Sequence, residues 1–249
     1  SPACGLSTVS TSDNRIARPD SGFPGLLGTS LATMVLTTSL TGESVMSDPS
    51  RVYVVFGAGG GIGSALVQRL LADGCQVVAA GRAGQSIDRL EQEQQAEVRR
   101  VDAIDFADVE ACLRETVERS GRLDGVVNCV GSLLLKPAHI TSPEEWDEAL
   151  AKNLTTAFAV VRGAANVLRR TGGSVVLMAS AAARLGLPNH EAIAAAKGGV
   201  AGLTLAAAAS YARYNLRFNA VAPGLVKTPL TRRIWDNPSA ADASRSLHP

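Results

Sequence analysis

From residue 51 onward, short apolar runs alternate with longer stretches of helical periodicity. RVYVVF (51–56), CQVVAA (75–80), EVRRVD (97–102), DGVVNCVG (124–131), GSVVLMAS (173–180) and LRFNAVAP (216–223) are bounded by turn residues, several of them rich in valine, and predict strands. Between them the spacing predicts helices over 62–74, 86–94, 106–121, 143–170 and 191–213. Gly121 reads as the stop of the third helix. Ser142, Pro143 and Glu145 form a capping-box signature for the fourth. Strands alternating with helices imply right-handed crossovers. The expected class is α/β, a doubly wound parallel sheet with helices on both faces. Near-continuous apolar strands agree, because central parallel strands are buried on both sides.

Residues 1–46 break this rhythm. They are rich in Ser and Thr, carry few charges and show no clear periodicity. We expect a leader or non-native extension there, with the body of the protein, 47–249, forming one domain. A Ser-rich, acid-poor leader loosely fits organelle import, but its two arginines, Arg15 and Arg18, are few for that role. The expected compartment is the cytoplasm.

Composition narrows the function classes. With 24 basic and 23 acidic residues the formal charge is +1, so nothing suggests a nucleic-acid footprint. Cys4, Cys75, Cys112 and Cys129 lack CxxC spacing, and His139, His190 and His248 do not pair at i,i+4. No metal site is expected. No run of ~18 strongly apolar residues is evident, so no membrane span is expected.

The first strand ends in a glycine turn, Phe56-Gly57-Ala58-Gly59-Gly60-Gly61-Ile62-Gly63. Glycines allow a tight turn and close approach of the backbone to a ligand. The helix that follows directs free N–H groups and its positive dipole end at an anion. Between a strand and a helix of an α/β unit, a dinucleotide pyrophosphate is the natural occupant. The end of the second strand should then read the adenosine ribose. An acidic residue there suits NAD and a nearby arginine suits NADP. Gly81 stands at that place and Arg82 follows, which leans toward NADP with NAD possible.

These features, with others further along, resemble the short-chain dehydrogenase/reductase superfamily. The resemblance covers about residues 50–235. Gly57, Gly61 and Gly63 match its GxxxGxG turn, and Asp102 its adenine-side acid. Asn128 to Gly131 (NCVG) matches its NNAG segment. Asn153, Ser180 and Lys197 match its catalytic Asn, Ser and Lys, and Pro223, Gly224 and Thr228 its PG segment. The resemblance implies a Rossmann-like fold and hydride transfer between a nicotinamide cofactor and a small carbonyl or alcohol substrate. It implies Lys197 and Thr228 at the nicotinamide riboside. It also implies a homodimer or homotetramer built on the helices 143–170 and 191–213.

Three positions depart from the family. The residue four before Lys197 and thirteen after Ser180 is Ile193, where the family has the tyrosine that moves the proton. Isoleucine can neither donate nor accept one. Another group then carries the proton, with His190, Glu191 and Ser180 as candidates. The alternative is a catalytically impaired subunit that binds nucleotide or serves only in assembly. Phe56 replaces a threonine expected before the first glycine. After Thr228 the family continues with a helix and a seventh strand, so the last strand is expected to be missing and the domain incomplete at its C-terminus.

Overall fold

The computed structural model describes residues 50–92 and 96–246. The leader expected over 1–46 lies outside them. Six strands form one fully parallel sheet: β1 (Val52–Phe56), β2 (Gln76–Gly81), β3 (Glu97–Arg100), β4 (Gly125–Asn128), β5 (Gly173–Met178) and β6 (Leu216–Val221). Their order is β3-β2-β1-β4-β5-β6. The chain winds outward from β1 to β3, then crosses to the other side of β1 to start β4. That reversal opens a crevice beyond the C-terminal ends of β1 and β4, where open α/β sheets place ligands.

Helices α1 (Gly61–Ala72) and α2 (Gln85–Gln92) cover one face, packing Val67, Ile87 and Leu90 on Val55, Val77 and Ala79. Helices α3 (Phe106–Ser120), α5 (Thr156–Leu168) and α6 (Glu191–Tyr211) cover the other, over Val54, Val126, Val175 and Leu177. The rule of two buried faces weakens toward β6. Leu216 and Phe218 are buried, whereas Arg217 and Asn219, pointing the other way, are exposed. The first layer reaches only β1–β3, so this end of the sheet is covered on one side. Beyond β6 lie two short helices, α7 (Arg232–Trp235) and α8 (Pro238–Ser246).

Local signals hold at the helix ends. Asp105 caps α3 by accepting from the N–H groups of Ala107 and Asp108, and Gly121 ends it at φ 74°. Ser142 and Glu145 make both bonds of the capping box on α4 (Pro143–Leu150). The expected single helix over 143–170 is corrected. A π turn, Ala151–Thr155, separates α4 from α5 and contains Asn153. Hydrophobic periodicity cannot register one inserted residue, but such turns gather at functional sites. The expected third strand also ends at Arg100, not at 102.

The expectation that the chain holds no apolar run of membrane-spanning length is also corrected. The helix and its extension over Glu191–Tyr214 are long and apolar enough, by length and composition, to cross a membrane. Alanine makes it so. The same helix packs on β6, on the π turn and on α4, and it carries a buried lysine, as a core helix does.

Candidate active site

The β1–α1 turn and the loop after β4 meet at the crevice. Gly57 sits at φ +74°, and a Cβ on it would stand 2.8 Å from the Cys129 carbonyl carbon and the Val130 nitrogen. A Cβ on Gly63 would stand 2.2 Å from the Gly57 oxygen, and one on Gly61 2.7 Å from Thr228 Cβ. Gly57 and Gly63 are therefore required by close backbone approach, Gly57 also by its conformation, and Gly61 by the Thr228 side chain against it. Phe56 is buried in the α3–α5 side of the core, and backbone bonds tie the turn to the sheet: Ala58 N–H to the Ala80 carbonyl and Cys129 N–H to that of Phe56. No side chain caps α1, and its first turn holds no acidic residue. The positive end of that helix is thus left for an external anion.

Two cavities share Cys129, Val130 and Gly131 and so form one cleft. The first, about 460 Å³, is lined by Gly57, Gly59, Arg82, Ile87 and Asp102. Among the described residues Arg82 has no ion-pair partner. Asp102 accepts from the Ile104 N–H, and its carboxylate stands at the cavity wall. The second, about 720 Å³, is lined by Ile62, Asn153, Ser180, His190, Ile193, Lys197, Pro223, Gly224 and Thr228. Asn128 lines neither. Its side chain is buried, with Oδ1 taking the Val130 N–H and Nδ2 reaching Thr156 Oγ1. The residue implied as a cofactor contact therefore shapes the β4 loop from behind. Glu191 also falls outside both cavities and is exposed.

At the floor of the larger cavity Lys197 is only 7% exposed. Its Nζ donates to the Met178 carbonyl at the end of β5, 2.7 Å away. Burial lowers its pKa to about 8, with a small opposing effect from the Cys129 thiol beside it. An ammonium has three donors, and one protein acceptor leaves capacity for a ligand's oxygens. Ser180 begins a 3-10 turn, its Oγ accepting from the Ala182 N–H, so its own proton remains free to donate. Asn153 is buried and grips Ser132 twice: Oδ1 takes the Ser132 N–H at 3.2 Å, and Nδ2 donates to Ser132 Oγ at 3.0 Å. Ser132 lines the cavity and escaped the sequence reading, although it directly follows Gly131. The His190 Nδ1 lies 2.7 Å from the Pro188 carbonyl. A carbonyl only accepts, so Nδ1 carries hydrogen, and Nε2 has no protein partner among the described residues. Ile193 lies one turn before Lys197 and borders the same space.

Two of the cysteines are poor nucleophiles. Burial raises the Cys112 thiol to about 12 and that of Cys129 to about 11, which suppresses thiolate reactivity. No cluster of His, Cys, Asp or Glu able to hold a metal occurs among the described residues.

A family model described as enoyl-(acyl carrier protein) reductase matches residues 57–249. The chain is 35% identical over 213 residues to the 2,5-dichloro-2,5-cyclohexadiene-1,4-diol dehydrogenase of Sphingobium indicum, covering 82% of this chain and 84% of that protein. It belongs to the short-chain dehydrogenase/reductase superfamily. Levodione reductase of Leifsonia aquatica is 35% identical over 72% of this chain and 71% of that protein. The crystal structure of levodione reductase superposes with a TM-score of 0.70, at 32% identity, over 80% of this chain and 81% of that one. A short-chain type dehydrogenase/reductase from Mycobacterium ulcerans gives 0.71 at 28% identity, over 77% and 74%. As a short-chain dehydrogenase/reductase the protein is an oxidoreductase, and its class of chemistry is NAD(P)-dependent hydride transfer between an alcohol and a carbonyl. The uncapped helix end, the side-chain-free turn and the under-partnered lysine fit a nicotinamide dinucleotide.

Proposed function

We propose that this short-chain dehydrogenase/reductase is an NADP-dependent reductase of small carbonyl compounds that lacks the family's tyrosine and moves its proton through His190. The observation that carries this reading is the cavity floor, where a buried lysine with one protein partner stands beside a serine free to donate. In this reading Gly57, Gly59, Gly61 and Gly63, with the α1 N-terminus, take the pyrophosphate. Arg82 takes the 2′-phosphate and Asp102 borders the adenine. Lys197 donates to the ribose hydroxyls, and Ile62, Gly131, Pro223, Gly224 and Thr228 enclose the nicotinamide. The bound nicotinamide supplies the hydride that a carbonyl carbon accepts. Ser180 donates to the carbonyl oxygen and orients it, while Asn153 and Ser132 hold the wall. His190, as the imidazolium, gives the proton on Nε2 to the new alkoxide and is left as the Nδ1–H tautomer held by the Pro188 carbonyl.

The test needs no substrate. NADPH and NADH are titrated by fluorescence into the protein. Saturable binding is expected, with NADPH preferred. Arg82→Ala should weaken NADPH about 10- to 100-fold, the range of a charge-assisted contact, and leave NADH unchanged. Equal losses for both cofactors would show that Arg82 does not read the phosphate. A folded protein that binds neither ends the nicotinamide reading.

A pH dependence follows from Lys197. Its pKa is lowered to about 8, so the full ammonium is present below that value and lost above it. Donation to the ribose weakens as the charge is lost. Cofactor affinity should therefore fall as pH rises through about 8, with proton uptake on binding above it. Titrations at pH 6.5 and 9.5 check this, and equal affinities at the two would remove the ammonium from the binding account.

A further inference from the structure

Aliphatic side chains make up much of the lining of the larger cavity, including Leu133, Leu187, Leu225, Val226 and Ile234. Among the described residues no Asp, Glu, Phe, Tyr or Trp lines it. A hydroxyl-rich ligand would leave hydroxyls unpaired against those side chains. A cationic ligand would meet only Lys197 and Arg233.

Arg233, from α7, borders the cavity together with Leu230 and Ile234. It is exposed, and among the described residues it has no acidic partner. A guanidinium that closes an aliphatic cavity and lacks a protein carboxylate is matched by a ligand carboxylate, which it can hold through two parallel bonds. We infer that the substrate is a carbonyl compound or secondary alcohol with an aliphatic or alicyclic body, and that its far end bears a carboxylate held by Arg233. This rests on the nicotinamide reading above, which places the reacting end at the floor.

The test avoids turnover. NADP is first titrated into the parent and into Arg233→Leu, so that fold and cofactor site are read separately. Cyclohexanecarboxylate and its neutral counterpart cyclohexanecarboxamide are then bound to the NADP-loaded protein and followed by ligand-observed NMR. The parent should bind the carboxylate at least about 10-fold tighter than the amide, and Arg233→Leu should erase that difference. Arg233→Lys should retain part of it, since a lysine keeps the charge but not the paired geometry. A carboxylate preference that survives Arg233→Leu overturns the inference, and so does binding of neither probe to a loaded protein. Failure of NADP to bind overturns the nicotinamide reading, and the inference with it.

Discussion

Ile193→Tyr is expected to raise carbonyl reduction by about 10²-fold, the lower end of what a positioned general acid contributes. The side chain at 193 borders the cavity, so a phenol there extends into open space. It would stand one turn before the Lys197 ammonium, on the same helix face. A cation at that distance stabilises the phenolate and lowers the phenol's pKa toward the working range. The gain is held to the lower end because, in the reading proposed, His190 already moves protons in the parent. That assignment makes the experiment a cycle. His190→Gln should lower the parent's rate by about 10²-fold and scarcely affect the Ile193→Tyr protein. The measurement is single-turnover oxidation of NADPH with a cyclic ketone, at saturating cofactor. Equal losses from His190→Gln in both backgrounds would make His190 a structural residue of the rim. If Ile193→Tyr binds NADPH and gains nothing, the substrate side has diverged too, and the binding-only subunit becomes the better reading.

Gly63→Ala is expected to cost about 3 kcal/mol of stability, or roughly 6–12 °C in Tm, and to weaken NADPH at least about 10²-fold. The added Cβ would meet the Gly57 oxygen at 2.2 Å, its carbon at 2.9 Å and the Ala58 Cα at 3.0 Å. All three are backbone atoms of the turn, so no side chain can rotate away. The turn must open, and its N–H groups then leave the positions that face the anion. Gly202→Ala is the control. Nothing lies within 4 Å of its Cβ on α6, and the change should raise helix stability by about 0.5–1 kcal/mol. Thermal melts with NADPH titrations check both. An unchanged NADPH affinity in Gly63→Ala would detach the glycine turn from the cofactor.

The element pattern was legible because periodicity and end signals are local. Ser142 with Glu145, Asp105, Gly121 and the apolar strand runs each act within a few residues of themselves. The glycine turn was legible for the same reason, and the spacing of Ser180, Ile193 and Lys197 fixed which residues to compare. The π turn at Ala151–Thr155 was not legible, since one extra residue per turn leaves the apolar pattern almost unchanged. Nor was Asn128's inward role. Whether an amide faces a ligand or a neighbour depends on Thr156 and Val130, brought to it by the fold.

By itself, then, the sequence determined the class of fold, the glycine turn after the first strand, and the identities of the residues matched to the site, while the strand order came from the structure. The sequence also determined that position 193 cannot carry a proton. Only the tertiary structure decided that Lys197 is buried against the Met178 carbonyl, that Asn153 is spent on Ser132, and that His190 Nδ1 meets the Pro188 carbonyl. It alone brought Arg233 to the cavity, where no carboxylate among the described residues pairs with it. The physical reason is that these are pairings between groups far apart in the chain. Burial and hydrogen bonding set them, and neither leaves a periodic trace in the order of residues.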